Sequence, residues 1–139
     1  GWEQFTSGFE IMVQKDKSNG IMKPNAPIVV HKWFPGGHIL FYTARPLKMN
    51  VIAIGQLEEV HKFAWLNKDA PSLKIGDDAY YIVPSNLPVD PKLLYSEYFE
   101  KISEPDTIPI MSKDVLLRNF YVYRLLNCKK VPSSILITK

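Results

Sequence analysis

Residues 26–46 read Ala26-Pro-Ile-Val-Val-His-Lys-Trp-Phe-Pro-Gly-Gly-His-Ile-Leu-Phe-Tyr-Thr-Ala-Arg-Pro46. The β-branched run at 27–31 predicts a short buried strand, and the glycine pair after it predicts a turn. The pattern beyond the turn favours an amphipathic helix that runs to about Arg45. Pro46 is expected to end this helix, because proline lacks the N–H that a helix interior requires. A strand that feeds a helix is typical of α/β proteins, in which ligands bind at the corner between the two.

The alternation of predicted strands and helices continues along the chain. Residues 50–55 and 79–84 read as two further buried strands. A helix is expected from about Gln56 to Asn67, and another from Asp90, which acts as N-cap before a proline, to about Ile102. An amphipathic helix at 2–19 precedes the first strand, and Asn19-Gly20 is its expected stop.

The C-terminal part predicts a hairpin, with strands at 107–111 and about 117–127 and a polar turn between them. Strands joined by helical crossovers pair in parallel with right-handed connections. We therefore expect residues 1–139 to form a single α/β domain. Its architecture is a three-layer α/β/α arrangement, with a small, mostly parallel sheet of about five strands and an antiparallel C-terminal hairpin. Residues 131–139 are expected to be a loose tail.

Composition restricts the class of protein. Of 139 residues, 46% are hydrophobic and 22% are charged, which is typical of a soluble globular domain. The net charge of +3 is scattered along the chain, whereas nucleic-acid binders usually show a basic stripe. The single cysteine, Cys128, excludes an internal disulfide and a multi-cysteine metal site. No apolar run approaches the ~20 residues that a membrane-spanning helix needs.

The corner after the first strand carries the best candidates for ligand contacts. Lys32, His38 and Arg45 would form a phosphate or carboxylate pocket, because helix N-termini and cations attract anions. The alternative is that the aromatic residues here close the core edge and the glycines only allow a tight turn. The segment contains neither a GxGxxG nor a GxxxxGK[ST] motif, so it carries no nucleotide fingerprint.

No catalytic or metal-binding set is expected. His31, His38 and His61 are not spaced as metal ligands usually are. Asp77-Asp78 follows a glycine, where adjacent carboxylates usually accept hydrogen bonds from a turn instead of acting as an acid–base pair. We therefore assign no catalytic residue, no metal ligand and no cofactor.

A family resemblance covers most of the chain, from Trp2 to about Lys129. It rests on an ordered set of segments: Lys32-Trp-Phe-Pro-Gly-Gly-His38, Tyr42-Thr-Ala-Arg-Pro46, Ile54-Gly55, His61-Lys-Phe-Ala-Trp-Leu-Asn67, Gly76-Asp-Asp-Ala-Tyr-Tyr-Ile82 and Phe120-Tyr-Val-Tyr-Arg124. Together they resemble the C-terminal soluble region of Bacteroides-type polytopic membrane glycosyltransferases. Those enzymes are similar to the protein mannosyltransferase and aminoarabinose transferase superfamily.

The resemblance implies a role as well as a location. It implies that the parent enzyme uses a polyprenyl-phosphate-linked sugar, with its catalytic carboxylates in membrane loops outside these residues. The domain would lie on the extracytoplasmic (periplasmic) face of the bacterial inner membrane, as a fragment of a larger multi-span protein. Its implied partners are the transmembrane part of the same polypeptide and a lipid-linked sugar or acceptor glycan, but not nucleic acid.

Aromatic rings stack on sugar faces and cations pair with phosphates. The surface expected to bind such a ligand consists of Lys32, Trp33, His38, Tyr42, Arg45 and His61. Two other functions remain open. One is a free-standing α/β domain that binds a sugar phosphate or nucleotide, and the other is a protein-interaction module that uses an exposed aromatic-rich strand.

Overall fold

The computed structural model describes residues 2–31, 38–56, 73–86, 89–131 and 135–136. The strands are β1 (Ile28–Val30), β2 (Val51–Ala53), β3 (Gly55–Gln56), β4 (Ala79–Pro84), β5 (Phe99–Ile102), β6 (Asp106–Ser112), β7 (Val115–Cys128) and β8 (Ile135–Leu136). The helices are α1 (Trp2–Ser18), α2, which joins a π-helix (Leu40–Ala44) to a helical turn (Arg45–Leu47), and α3 (Pro91–Tyr95).

Six strands form the main sheet, in the order β2-β1-β4-β7-β5, with β6 also paired to β7. Strand β1 lies between β2 and β4 and is parallel to both. Strand β7 is antiparallel to β4 on one side and to β6 and β5 on the other. The predicted α/β fold, with a parallel core and an antiparallel C-terminal hairpin, is therefore confirmed.

Side-chain alternation along the strands divides the core between the two faces of the sheet. In β4, Tyr80 and Ile82 join one cluster and Tyr81 and Val83 join the other. The first cluster packs under α1 and α2, where Phe5 is fully buried. The second includes side chains from α3 and β5. Every residue of β4 is buried, as expected for a central strand with both faces covered.

Two helices end in the same way, with a residue of positive φ after the last turn. Gly20 has φ 67°, and the N–H of Ile21 donates to the carbonyl of Asp16. Lys48 has φ 57°, and the N–H of Met49 donates to the carbonyl of Ala44. Both ends are Schellman motifs, in which backbone N–H groups satisfy the last helical carbonyls. The predicted stop at Asn19-Gly20 is confirmed.

The prediction of one long helix from Asp90 to Ile102 is wrong in its second half. Its start is as expected, since Asp90 Oδ1 accepts a hydrogen bond from the Lys92 N–H at 2.9 Å. The helix nevertheless ends at Tyr95, and β5 follows, paired in register with β7. Pairing with β7 overrides the helical spacing of the apolar residues, because it satisfies the strand backbone and buries Phe99.

Three smaller expectations differ from the structure. Helix α2 continues through Pro46 to Leu47, because proline fits near the start of its last turn. Gln56 belongs to β3 and does not start a helix; residues 57–67 lie outside the described residues. Within the expected loose tail, Ile135–Leu136 pairs in parallel with Gly55–Gln56.

Candidate functional site

Three aromatic side chains, Trp2, His38 and Tyr42, lie together at the start of α1 and α2 with nearly parallel ring planes. The Trp2 ring centroid is 5.6 Å from that of His38 and 6.5 Å from that of Tyr42, and 6.0 Å separates the last two. The interplanar angles are 13°, 15° and 19°. Nearly parallel rings at 5.6 and 6.0 Å are laterally offset stacked pairs, so the three rings form one compact patch in which ring faces partly cover one another. We call this patch the aromatic platform.

The platform rests on the core beneath α1. Trp2 contacts Phe120 at 4.8 Å between ring centroids and Phe5 at 6.0 Å in an edge-to-face arrangement. Both phenylalanines are essentially fully buried. Tyr42 is 49% exposed, and His38 is also exposed. The platform thus combines a fixed base with accessible aromatic surface.

Thr6 fixes α1 against the π-helical part of α2. Its hydroxyl lies 2.6 Å from the Tyr42 carbonyl oxygen and 2.8 Å from the hydroxyl of Thr43. Pro46 stands four residues after Tyr42 and has no N–H to donate to that carbonyl. The Thr6 hydroxyl has one proton to donate, and it lies closer to this carbonyl than to the Trp2 carbonyl oxygen at 2.9 Å. This explains how the chain positions Tyr42 beside Trp2.

The structure brings together only part of the predicted ligand surface. His38 and Tyr42 are in contact, as the prediction requires. Arg45 is directed elsewhere, with its guanidinium 4.5 Å above the ring of Phe41. The other predicted residues, Lys32, Trp33 and His61, lie outside the described residues.

Sequence reasoning missed Trp2 as a platform residue. Its spacing to Phe5 and Phe9 is that of the buried face of an amphipathic helix, and it does contact that core. It is only partly buried, however, because it is the first residue of the helix. A partly buried ring at a helix start leaves no distinguishing pattern in the sequence.

At the carboxyl ends of the parallel strands, the described residues form a buried polar cluster. His31 follows β1, and its Nδ1 lies 2.9 Å from the hydroxyl of Tyr81. The Tyr95 hydroxyl donates to the Ile54 carbonyl at 2.8 Å. Burial raises the pKa of Tyr81 and Tyr95 well above 10.0, so both hydroxyls remain protonated.

The carboxylates of Asp77 and Asp78 accept hydrogen bonds from backbone N–H groups. Asp77 Oδ2 accepts from the Lys74 N–H at 2.8 Å. Asp78 is buried and accepts from the N–H groups of Lys23 and Asn127, both at 2.9 Å. These contacts join the loop before β1 to the end of β7. As predicted from the sequence, both carboxylates accept hydrogen bonds from backbone N–H groups.

Among the described residues, Asp16 is the other buried carboxylate, and it too has structural partners. It accepts two hydrogen bonds from the Arg124 guanidinium and one from the Tyr80 hydroxyl at 2.7 Å. Burial and the neighbouring Asp16 carboxylate raise the pKa of Tyr80 well above its ordinary value. Burial also raises the pKa of the Cys128 thiol, which donates to the Lys130 carbonyl.

Within the described ranges, no group of three or more histidine, cysteine or acidic side chains is placed to hold a metal ion. No helix in those ranges is both long and apolar enough to cross a bilayer. The chain matches no protein-family model, and no curated protein or solved structure matches it.

Proposed function

We propose that this chain is an accessory, non-catalytic domain of a membrane-embedded glycosyltransferase that uses a polyprenyl-phosphate-linked sugar. In this proposal it lies on the extracytoplasmic face of the bacterial inner membrane and helps to seat the acceptor glycan at the active site. The ordered sequence motifs support the enzyme class, and the aromatic platform supports the role in acceptor binding.

The platform is the observation that carries the proposal. A pyranose has an apolar face of C–H groups that packs on aromatic rings, which hold it at little cost in conformational entropy. Trp2, His38 and Tyr42 present parallel ring planes over a rigid base. The indole N–H of Trp2 and the phenol hydroxyl of Tyr42 are groups of the kind that bond sugar hydroxyls.

The two buried carboxylates among the described residues have structural partners. Glycoside chemistry generally requires a pair of carboxyl groups facing a shared open site. The buried carboxylates Asp16 and Asp78 are instead bonded to Arg124 and to backbone N–H groups. In the proposal, the reactive groups therefore lie in the transmembrane part of the same polypeptide.

The test uses two neighbouring substitutions in the parent enzyme in membrane vesicles, Tyr42→Ser and Phe41→Ser. Both residues are exposed on α2, but only Tyr42 belongs to the platform. We expect Tyr42→Ser to raise the acceptor KM severalfold with little change in kcat, and Phe41→Ser to leave both near wild type. Equal effects of the two substitutions would contradict acceptor binding at the platform.

The enzyme class has a separate test in the parent gene. The proposal requires a hydrophobic, multi-span region encoded directly upstream of Trp2. A gene that encodes this domain alone would contradict the glycosyltransferase assignment.

A further inference from the structure

A groove lies at the amino-terminal ends of the parallel strands, at the edge of the sheet opposite the corner expected to bind ligand. One wall is the second half of α1, and the other is the loop from Leu47 to Asn50. The groove holds about 650 Å³ of empty space, part of it open to solvent. Val13, Met49 and the buried ring of Tyr80 line it with apolar surface.

The rim of this groove is cationic. Lys17, Lys23 and Lys48 line it, against one carboxylate, that of Glu10. Among the described residues, Lys17 and Lys48 have no hydrogen-bond or ion-pair partner. The Lys23 ammonium donates to the Gly76 carbonyl and has two further N–H groups.

Amide side chains complete the rim. Gln14, Asn25 and Asn50 line the groove, and all three are exposed. Amides donate hydrogen bonds to oxyanions, and lysine ammonium groups supply the opposing charge. An apolar lining beneath such a rim suits an anion that carries an organic group.

Lys48 occupies a backbone position at which glycine would be the favoured residue. It is the left-handed residue of the Schellman motif that ends α2, with φ 57°. A side chain at this φ is strained, and strained backbone is often found at ligand sites.

We propose that this groove binds a small phosphate monoester. Lys17, Lys23 and Lys48 hold the phosphate, and the organic group packs on Val13 and Met49. Three cations against one carboxylate match a phosphate dianion better than a carboxylate monoanion. The groove and the platform lie towards opposite ends of α1, about 18 Å apart by the helical rise from Trp2 to Gln14. The proposal is therefore independent of the glycosyltransferase assignment.

Helix ends offer another explanation for two of these lysines. Lys17 lies in the last turn of α1 and Lys48 follows the last turn of α2, where cations stabilise the helix dipole. The substitution Lys48→Gly separates stabilisation of the helix end from phosphate binding. Glycine relieves the strained φ, so the variant is expected to melt no lower than wild type, whereas its affinity for the phosphate falls.

The experiment titrates the 139-residue chain with phenyl phosphate, inorganic phosphate and benzenesulfonate, and follows the side-chain amide resonances of Gln14, Asn25 and Asn50 by NMR. We expect saturable shifts with phenyl phosphate in the millimolar range or below, and weaker binding of the other two probes. Lys48→Gly should weaken phenyl phosphate binding about tenfold, as expected for loss of one charge-assisted contact.

Lys15→Gln is the matched control, because it removes a positive charge from α1 outside the groove. Its affinity should equal that of wild type. The proposal is overturned if phenyl phosphate produces no saturable shifts of the groove amides. It is equally overturned if Lys15→Gln and Lys48→Gly weaken binding alike, since the effect would then be one of net charge.

Discussion

The guanidinium of Arg124 donates two hydrogen bonds to the buried carboxylate of Asp16, although 108 residues separate them in the chain. The Nε–Oδ2 and Nη2–Oδ1 distances are 2.9 and 3.0 Å. Arg124 also contacts Asp106 of β6 at 2.7 Å. The end of α1 is thereby joined to the centre of β7 and to the start of β6. This contact fixes the helix that contributes both the platform and one wall of the groove.

Asp16→Asn should destabilise the fold strongly. The Asp16 carboxylate is 3% exposed, and its loss leaves the Arg124 guanidinium without its buried partner. We expect the free energy of unfolding to fall by about 3 kcal/mol, measured by urea denaturation. Glu97→Gln is the control, since it breaks the exposed Glu97–Lys130 pair and should leave the unfolding midpoint unchanged. Wild-type stability of Asp16→Asn would contradict this role.

Stability should fall as the pH rises above about 10. Burial raises the pKa of Tyr80, Tyr81 and Tyr95 above the ordinary 10.0. Above that pH the unfolded chain loses these protons while the folded chain keeps them, so the unfolded state is favoured. The free energy of unfolding then falls by up to about 1.4 kcal/mol per pH unit for each of these tyrosines. Below pH 10 this contribution to stability is complete.

Urea denaturation between about pH 9 and pH 11, followed together with tyrosinate absorbance, checks this expectation. The absorbance of the three buried tyrosines should appear only as the chain unfolds. Tyr81→Phe should make the alkaline loss of stability shallower, because one ionising group is removed. Reversible ionisation of all seven tyrosines in the folded chain would contradict the burial of these rings.

The hairpin between β6 and β7 can be stabilised at its turn. Lys113 and Asp114 have φ 48° and 66°, the left-handed pair that two-residue hairpins require and that Asn-Gly adopts with least strain. The double variant Lys113→Asn, Asp114→Gly should raise the free energy of unfolding by about 1 kcal/mol. As a control, Lys101→Gly introduces glycine into the interior of strand β5 and should lower the free energy of unfolding. A loss of stability in the double variant would show that the turn is built differently.

Tyr95→Phe tests the contact between α3 and the end of β2. The Tyr95 ring is fully buried, and its hydroxyl donates to the Ile54 carbonyl at 2.8 Å. Removal of the hydroxyl leaves a buried carbonyl without this donor, which costs about 1–2 kcal/mol. Tyr98→Phe is a suitable control on the same segment, because the Tyr98 hydroxyl has no hydrogen-bond partner among the described residues. Equal midpoints for the two variants would contradict the assigned contact.

Local signals predicted much of the fold. The apolar run Ala79–Pro84 gave the bounds of β4, and Asp90 before proline gave the start of α3. Three strands separated by helical patterns gave the parallel pairing of β1 with β2 and β4. For the bounds of β4 and the start of α3, the residues that fix the structure are neighbours in sequence.

Long-range contacts explain what sequence reasoning missed. The segment from Phe99 has helical spacing, and only pairing with β7 makes it a strand. The platform joins Trp2 to two rings 36 and 40 positions later, a relation set by the packing of α1 on α2. The groove combines lysines from three separate segments, and the scattered charge of the sequence does not reveal this arrangement.

The most direct test of the account is binding of neutral hexose oligosaccharides to the 139-residue chain, followed by the indole resonance of Trp2. We expect gluco-, manno- or galacto-configured oligosaccharides to shift this resonance saturably. Tyr42→Ser should weaken the binding about fivefold, the loss expected for about 1 kcal/mol of ring contact. Phe41→Ser should bind as wild type. An unchanged Trp2 resonance with all three sugar types, or equal weakening by both substitutions, would contradict a sugar-binding platform.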